Sequence, residues 1–292
     1  MKDKSKFITI MTPTYNRANL LPRLYESLKN QTSYDFEWVV IDDGSTDQTE
    51  EIINQFQQNQ PPFPIIYQKQ VNGGKHRAIN HALKIANGKM FFIVDSDDYL
   101  TNDAIANVIK DEEQLPKGQK FAGLGKAKGW TLTEQIGNGF NSDFIDATSL
   151  ERSKYSILGD KAEIFYTEIL RQYPFPEFES EKFMEEAYVW NLIAEVGYKL
   201  RWDNDIIYIA EYLDDGLTKN IRSKHKQSPK GFALYIKQLI NHESSFLKKI
   251  FLAGMYNRDV HDYDGIVETS KALGVSRVLV LLGTIIRKLF RK

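Results

Sequence analysis

The sequence predicts an α/β protein: a mostly parallel sheet flanked by helices, followed by a helical C-terminal extension. Three features predict it. Up to about residue 115, short apolar runs rich in β-branched residues alternate with segments whose apolar residues recur at helical spacing. Each short run ends in a polar cluster. Beyond that point the alternation fades, and from Pro229 onward most of the chain has helical periodicity. Strands alternating with helices require crossover connections, and crossovers make parallel βαβ units with helices on the sheet faces.

Each element follows from its residues. Phe7 to Met11 is apolar and stops at Pro13, the pattern of a buried strand. Leu20, Leu21, Leu24 and Leu28 repeat at helical spacing behind Asn19, which is the expected N-cap. Trp38 to Ile41 is the second strand and ends in Asp42-Asp43-Gly44-Ser45. Asp47 and Glu50 have the spacing of an N-cap and its N3 partner, and open a helix through Ile52, Ile53 and Phe56 that Pro61-Pro62 breaks. Ile65 to Tyr67 is the third strand. After Gly73-Gly74 a helix carries Ala78, Ile79, Ala82, Leu83 and Ala86 on one face and closes at Gly88. Met90 to Val94 is the fourth strand, ending in Asp95-Ser96-Asp97-Asp98, and Leu100 to Glu113 reads as a helix. From Gly118 to Gly139, glycines and mixed polar residues predict long loops with a few antiparallel strands nearby. Phe183 to Val196 is expected to be a helix, Ile206 to Ile209 a strand, and Pro229 to Leu252 and Asp264 to the end helices. The expected organisation is one α/β domain over 1–220, in halves 1–115 and 116–220, then a helical region over 221–292.

Composition excludes several classes of function. The 292 residues are 42% hydrophobic and 26% charged, enough to bury a full core. Lysine and arginine total 38 against 39 acidic residues, so the chain lacks the basic footprint of a nucleic-acid partner. Cysteine is absent, which removes disulfides, thiol nucleophiles and cysteine metal clusters. The five histidines show no zinc-ligand spacing, and neither Gly-x-Ser-x-Gly nor His-Glu-x-x-His occurs. The polar N-terminus does not read as a signal peptide, and no window reaches the ~20 apolar residues of a membrane span. A cytoplasmic chain is expected.

In open α/β sheets, ligands sit beyond the carboxyl ends of the strands. Here those ends carry Pro13-Thr14-Tyr15, Asp42-Asp43, Asn72-Gly73-Gly74-Lys75 and Asp95-Ser96-Asp97. Three carboxylates within Asp95-Ser96-Asp97-Asp98 repel one another unless a cation sits among them, and Mg²⁺ or Mn²⁺ bridging to substrate phosphates is the natural one. A solvated turn capping the next helix is the plainer alternative, and placement beside the other strand ends favours the metal. Asp42-Asp43 reads either as an Asx turn or as hydrogen-bond acceptors for a base or ribose. Asn72 to Arg77 could bring backbone and a cation to a phosphate, but has neither P-loop nor dinucleotide-fold spacing. His76 beside these charges reads more readily as a surface residue than as a ligand. Glu185-Glu186 is either an acidic helix N-terminus favoured by the dipole or the seat of a general base.

Three of these motifs together resemble a known family. Phe7-Ile-Thr-Ile-Met-Thr-Pro-Thr-Tyr-Asn-Arg17, Val39-Val-Ile-Asp-Asp-Gly-Ser-Thr-Asp47 and Val94-Asp-Ser-Asp-Asp98 look like the inverting family 2 glycosyltransferases of bacterial type, which have the Rossmann-like GT-A fold. Tyr173-Pro-Phe-Pro-Glu177, Glu181-Lys-Phe183, Glu186 and Tyr212-Leu-Asp-Asp-Gly-Leu-Thr218 resemble a bacterial branch of it. The resemblance implies transfer of a sugar from a nucleoside diphosphate sugar, UDP being the common donor nucleotide, to a glycan, lipid-linked or protein acceptor. It implies that residues 1–115 bind the donor and 116–220 the acceptor. Pro13, Thr14 and Tyr15 would wall the nucleobase and Arg17 would approach the donor. Asp43, supported by Asp42, would read the base. Asn72, Gly73 and Lys75 would line the diphosphate pocket. Asp95, with Ser96 beside it, would contact ribose or sugar, and Asp97 would hold Mn²⁺ or Mg²⁺. Glu186 matches the general base, with Glu185 the rival because Glu-Glu replaces the commoner Glu-Asp. Asp215, Gly216 and Thr218 would close over the diphosphate.

The last segment is charged differently from the rest. From Lys271 onward there are six basic residues and no acidic one, and Val278 to Ile286 is almost wholly apolar. Residues 275–292 read either as a basic amphipathic helix lying on an anionic membrane, which would make the protein peripheral on the cytoplasmic face, or as a helix docked on the core or on a second subunit of a homodimer. Two other functions stay open at this point. A sugar nucleotidyltransferase would want a Gly-rich basic loop after the first strand, where Pro13-Thr14-Tyr15-Asn16-Arg17 stands. A non-catalytic carbohydrate-binding scaffold would not need the Asp95-Ser96-Asp97 and Glu185-Glu186 acids.

Overall fold

A computed structural model describes residues 6–211 and 220–289. The strands expected at the N-terminus form as a parallel set: β1 (Ile8–Thr14), β2 (Phe36–Asp42), β3 (Ile65–Lys69) and β4 (Met90–Ile93). Between them lie α1 (Leu21–Lys29), α2 (Thr49–Gln58) and α3 (Lys75–Ile85). Next come β5 (Tyr99–Leu100), α4 (Ala104–Glu113), β6 (Phe121–Gly129), β7 (Ile145–Ala147), β8 (Lys161–Tyr166), α5 (Thr167–Leu170), α6 (Glu186–Glu195) and β9 (Lys199–Ile209). The chain closes with α7 (Ile221–Gln227), α8 (Pro229–His242), α9 (Phe246–His261), α10 (Ile266–Leu273) and α11 (Arg277–Leu289).

The nine strands make one sheet in the order β3-β2-β1-β4-β8-β6-β9-β5, with β7 paired to β9. β1, β2, β3 and β4 are parallel, and the β1–β2 register sets Thr14 opposite Asp42. β8 runs antiparallel to both β4 and β6 and thereby joins two parallel groups. On one face Trp38, Ile8, Ile10 and Val40 pack with Leu21, Leu24 and Leu28 of α1 and with Ile53 and Phe56 of α2. Tyr25 stacks on Phe56 at 4.0 Å, and the buried indole N–H of Trp38 donates to Thr12 Oγ1 at 2.9 Å. A buried polar indole needs such a partner.

Several local expectations are corrected. Leu20, not Asn19, is the residue before α1, and no side chain caps that helix. Asp47 does accept from Thr49 N–H (3.1 Å) and Thr49 Oγ1 (2.6 Å), but α2 begins one residue later than a cap at 47 requires, with Gln48 in that place. The segment expected to be helical from Leu100 first makes the short strand β5. The glycine-rich stretch holds β6, because its glycines serve close packing: a Cβ on Gly123 would lie 1.9 Å from Ile164 O, and one on Gly125 would lie 2.1 Å from the Trp202 ring. β9 begins at Lys199, well ahead of the apolar run, because its first half is buried beside β6 and β7. Pro229 to Leu252 breaks into α8 and α9 at Ser245, whose Oγ accepts from Lys248 N–H.

The described residues form two compact units, 6–174 with 190–211 and 175–189 with 220–289. The second takes in 175–189 as well as the C-terminal helices expected from residue 221. Its own core includes Phe232, Ile236, Ile240, Tyr256 and Val280. Among the described residues no helix is long and apolar enough to cross a membrane.

Candidate active site

The carboxyl ends of the four parallel strands are tied to one another by their own side chains. Asp43 N–H continues the β1–β2 ladder onto Thr14 O at 2.8 Å. The loops after β1 and β2 are then stitched together. Asn16 N–H donates to Ser45 Oγ (2.8 Å), Thr46 N–H to Asn16 Oδ1 (2.8 Å) and Ala18 N–H to Asp47 Oδ2 (3.0 Å). Asp42 is fully buried and accepts from Ser45 N–H and from the Tyr67 hydroxyl, each at 2.7 Å. Burial, and then that bond, push the Tyr67 phenol well above its ordinary range.

Asp43 is the organiser of the loop after β3. Its Oδ1 accepts from Gln70 Nε2 and Gly73 N–H, both at 2.8 Å. Its Oδ2 accepts from Gly74 N–H at 2.7 Å and Asn72 Nδ2 at 3.1 Å. A carboxylate has about four acceptor positions, so these bonds occupy it. The sequence suggested that Asp43 reads a base; in the structure its carboxylate holds residues 70–74. Gly74, at φ 95°, sets the turn into α3, whose first residue, Lys75, pairs with Asp95 Oδ1 at 2.6 Å. Thus Pro13, Thr14, Tyr15, Arg17, Asp42, Asp43, Asn72, Gly73, Lys75, Asp95, Ser96 and Asp97 all stand on or beside one edge of the sheet. Tyr15 is exposed, Ser96 is buried, and Thr14 Oγ1 is buried with no hydrogen-bond partner among the described residues.

The three acids after β4 differ in environment. Burial raises Asp95, but Lys75 and Lys128 together hold its carboxyl below the usual range. Asp98 is buried, and burial with the Asp95 charge pushes it up to about 7. It is a structural anchor: its carboxylate accepts from the Tyr208 hydroxyl (2.6 Å) and Glu211 N–H (2.8 Å), while the Tyr208 oxygen accepts from Asp95 N–H (3.0 Å). Asp97 is raised by burial and by Asp95, with only partial relief from the charges of Arg17 and Lys75. Its carboxylate makes no ion pair among the described residues. Its backbone carbonyl accepts from Arg23, which also pairs with Glu211. A half-buried, unneutralised carboxylate beside a second one fits a hard divalent cation with oxygen ligands.

A second acidic group, Asp111, Asp203 and Asp205, has carboxylate oxygens close enough to share an ion. The Lys126 ammonium, fully buried, already pairs with Asp111 and Asp203 and lies 3.8 Å from Asp205. That group already encloses a cation of the protein's own and does not include Asp97.

Glu185 and Glu186 belong to the helical unit. Glu185 Oε1 is 2.8 Å from His225 Nε2, and His225 Nδ1 is 3.0 Å from Asp259 Oδ2. The imidazole is buried and stacked on Phe232 at 3.6 Å. Burial lowers its pKa, but the hydrogen bonds to Asp259 and Glu185 outweigh this and raise it. Glu181 accepts from Lys230 and Gly231 N–H, each at 2.9 Å, and satisfies the open start of α8. Phe183 N–H donates to Ser228 Oγ at 3.2 Å. The segment leading to Glu186, the first residue of α6, is therefore clamped by α7 and α8.

Sequence reasoning missed Arg23, Lys128, Tyr208 and His225. None sits in a motif. Their side chains reach Asp95, Asp97, Asp98 and Glu185 across 33 to 110 residues of sequence, a separation that local patterning does not carry. Asp215, Gly216 and Thr218 lie outside the described residues.

Comparison with known proteins follows the same outline. The sequence pattern of the family described as Glycosyl transferase family 2 matches residues 9–155. Over 104 residues the chain is 40% identical to a chondroitin synthase of Pasteurella multocida, which covers 36% of this chain and only 11% of that protein. Among solved structures, S. aureus TarS 1-349 in complex with UDP-GlcNAc has a TM-score of 0.63 at 19% identity, covering 97% of this chain and 92% of that one. The mannosyltransferase PcManGT of Pyrobaculum calidifontis, in complex with GDP-Man and Mn²⁺, has a TM-score of 0.60 at 17% identity, covering 99% and 89%. At these identities the two structures speak for the fold.

Proposed function

The chain belongs to glycosyl transferase family 2, and from that premise we propose that it is a metal-dependent inverting glycosyltransferase. In this reading it moves a hexosyl or N-acetylhexosaminyl group from a nucleoside diphosphate sugar, UDP-sugar first among them, to a glycan, lipid-linked or protein acceptor in bacterial surface polysaccharide or glycoconjugate synthesis. The observation that carries it is the meeting of four strand-end loops around Asp97, an acid with no ion-pair partner among the described residues, next to the Lys75–Asp95 pair. The complexes of TarS with UDP-GlcNAc and of PcManGT with GDP-Man and Mn²⁺ support the donor class and the metal.

The residues divide the work as follows. Pro13, Thr14 and Tyr15 wall the nucleobase. Asp42 and Asp43 shape that pocket by holding loops 43–47 and 70–74. Asn72, Gly73, Lys75 and Arg17 face the diphosphate, and Asp95 with Ser96 the ribose or sugar. Asp97 would hold Mn²⁺ or Mg²⁺, which when bound offsets the negative charge of the leaving diphosphate. Glu186 removes the proton from the acceptor hydroxyl as its oxygen attacks the anomeric carbon. The bond to the diphosphate oxygen breaks on the opposite side, and the centre inverts in one displacement. Glu185, held on His225, positions the start of α6.

Calorimetric titration with UDP, with and without Mn²⁺, tests this. Metal-dependent binding that disappears in Asp97→Ala supports the site. Absence of binding to UDP, GDP, CDP and dTDP alike would sink the reading and return the scaffold alternative.

A further inference from the structure

α11 is turned inside out for a helix of a globular unit. With about 3.6 residues per turn, Val280, Gly283, Thr284 and Arg287 form one stripe, and Val278, Leu281, Leu282, Ile285 and Leu289 form the stripe opposite. The small and polar stripe is the one that packs. Val280, Gly283 and Thr284 are buried, and Gly283 meets Gly254 of α9 so closely that a Cβ on Gly254 would lie 2.4 Å from Gly283 backbone. Asn257 Nδ2 donates to Thr284 Oγ1 at 2.8 Å, and Arg287 Nε to Phe251 O at 3.0 Å. The aliphatic stripe faces away and is exposed, Val278 by 65% and Leu289 by 77%. The two helices run antiparallel, so the last turns of α11 pass the first turns of α9, where Leu247 and Phe251 are also exposed. Of the sixteen large exposed apolar side chains among the described residues, eight lie on these two helices. Concentration of this kind marks an interaction surface.

We infer that this face rests on an anionic lipid surface. Charge selects the occupant. Arg277 and Lys288 are exposed beside the stripe, and no acidic residue occurs from Lys271 onward. A two-fold dimer through this face would set the same cationic stripe against itself. A lipid surface bearing phosphate headgroups accepts both the cations and the aliphatic stripe. At thirteen residues α11 is about 20 Å long, too short for the ~30 Å hydrocarbon core, so it lies in the interface plane. The inference does not depend on the transfer reaction.

The test uses the full chain with vesicles of phosphatidylcholine alone and of phosphatidylcholine with phosphatidylglycerol. Because the chain has no cysteine, Ile285→Cys carries a single polarity-sensitive fluorophore. Retention on the anionic vesicles, release by salt and a blue shift of the fluorophore are expected. Leu281→Glu with Ile285→Glu abolishes retention with an unchanged melting temperature, since both side chains are already exposed. Arg277→Gln and Lys288→Gln each weaken retention about five-fold. UDP affinity measured on the same variants stays at the wild-type value, which separates failure here from failure of the donor site. Equal retention on neutral vesicles, no retention on either, or a vesicle-independent dimer that the double glutamate variant dissociates overturns the inference.

Discussion

The sheet unit carries two acidic groups of similar composition and opposite character. Asp111, Asp203 and Asp205 surround the buried Lys126. Asp95, Asp97 and Asp98 follow β4, where Lys75 pairs with Asp95 and Asp97 has no ion pair among the described residues. In the first group the protein supplies its own cation, and the charges are spent on folding. In the second, Asp98 is consumed by Tyr208 and Glu211 and Asp95 by Lys75, while the carboxylate of the half-buried Asp97 has no ion pair among the described residues. The lesson is that proximity of carboxylates does not by itself make a metal site, because the protein can supply the cation. Glu185 is likewise committed, to His225.

The contrast can be broken in four places, in order of effect. Glu186→Gln should lower kcat by about 10²–10⁴, the usual contribution of a positioned base, with UDP affinity unchanged in calorimetry. Glu185→Gln should instead lower the melting temperature more than it lowers kcat; the reverse ranking would exchange their roles. Lys126→Met should cost about 3–5 kcal/mol in denaturant unfolding, because it removes the buried ammonium and leaves the part-buried Asp111 and Asp203 side by side without a counter-charge. Asp203 already titrates at about 6, raised by burial against the pull of Lys126. Without the lysine it rises further, so the deficit should be larger at neutral pH than near pH 5 (about one unit above an ordinary Asp). A deficit that does not grow with pH would mean that the lysine contributes packing only.

Asp97→Asn should leave unfolding free energy within about 0.5–1 kcal/mol of wild type while removing the Mn²⁺-dependent part of UDP binding. A large stability loss would place Asp97 with the structural acids. The last of these places is His225, where the effect depends on pH. Its folded pKa is raised, so the stability it supplies is complete below the unfolded value near ~6.5 and is lost as pH rises through the folded value. His225→Gln should therefore cost about 1.5–3 kcal/mol at low pH, and its melting curve should converge on that of wild type under alkaline conditions.

The parallel half of the sheet was legible because each strand there is a single apolar run with a polar stop: Phe7 to Met11, Trp38 to Ile41, Ile65 to Tyr67 and Met90 to Val94 each became a strand of the sheet. β6 was not legible, since its glycines answer to Ile164 and Trp202, which are remote in sequence. Nor was the start of β9, where Arg201 and Trp202 are buried by partners on β6 and β7 rather than by a local pattern.

By itself the sequence determined the strand–helix alternation, the loops that fall on one sheet edge, and the basic, aliphatic character of the tail. Those are properties of periodicity and spacing, which act over a turn or a strand. Only the tertiary structure decided which charges are paired. Lys126 and Asp203 are 77 residues apart, Glu185 and His225 are 40 apart, and whether a carboxylate is neutralised depends on what folding brings within a few ångströms. The same holds for α11: its amphipathic pattern was plain, but which stripe packs and which faces outward was settled by the contact of Gly283 with Gly254.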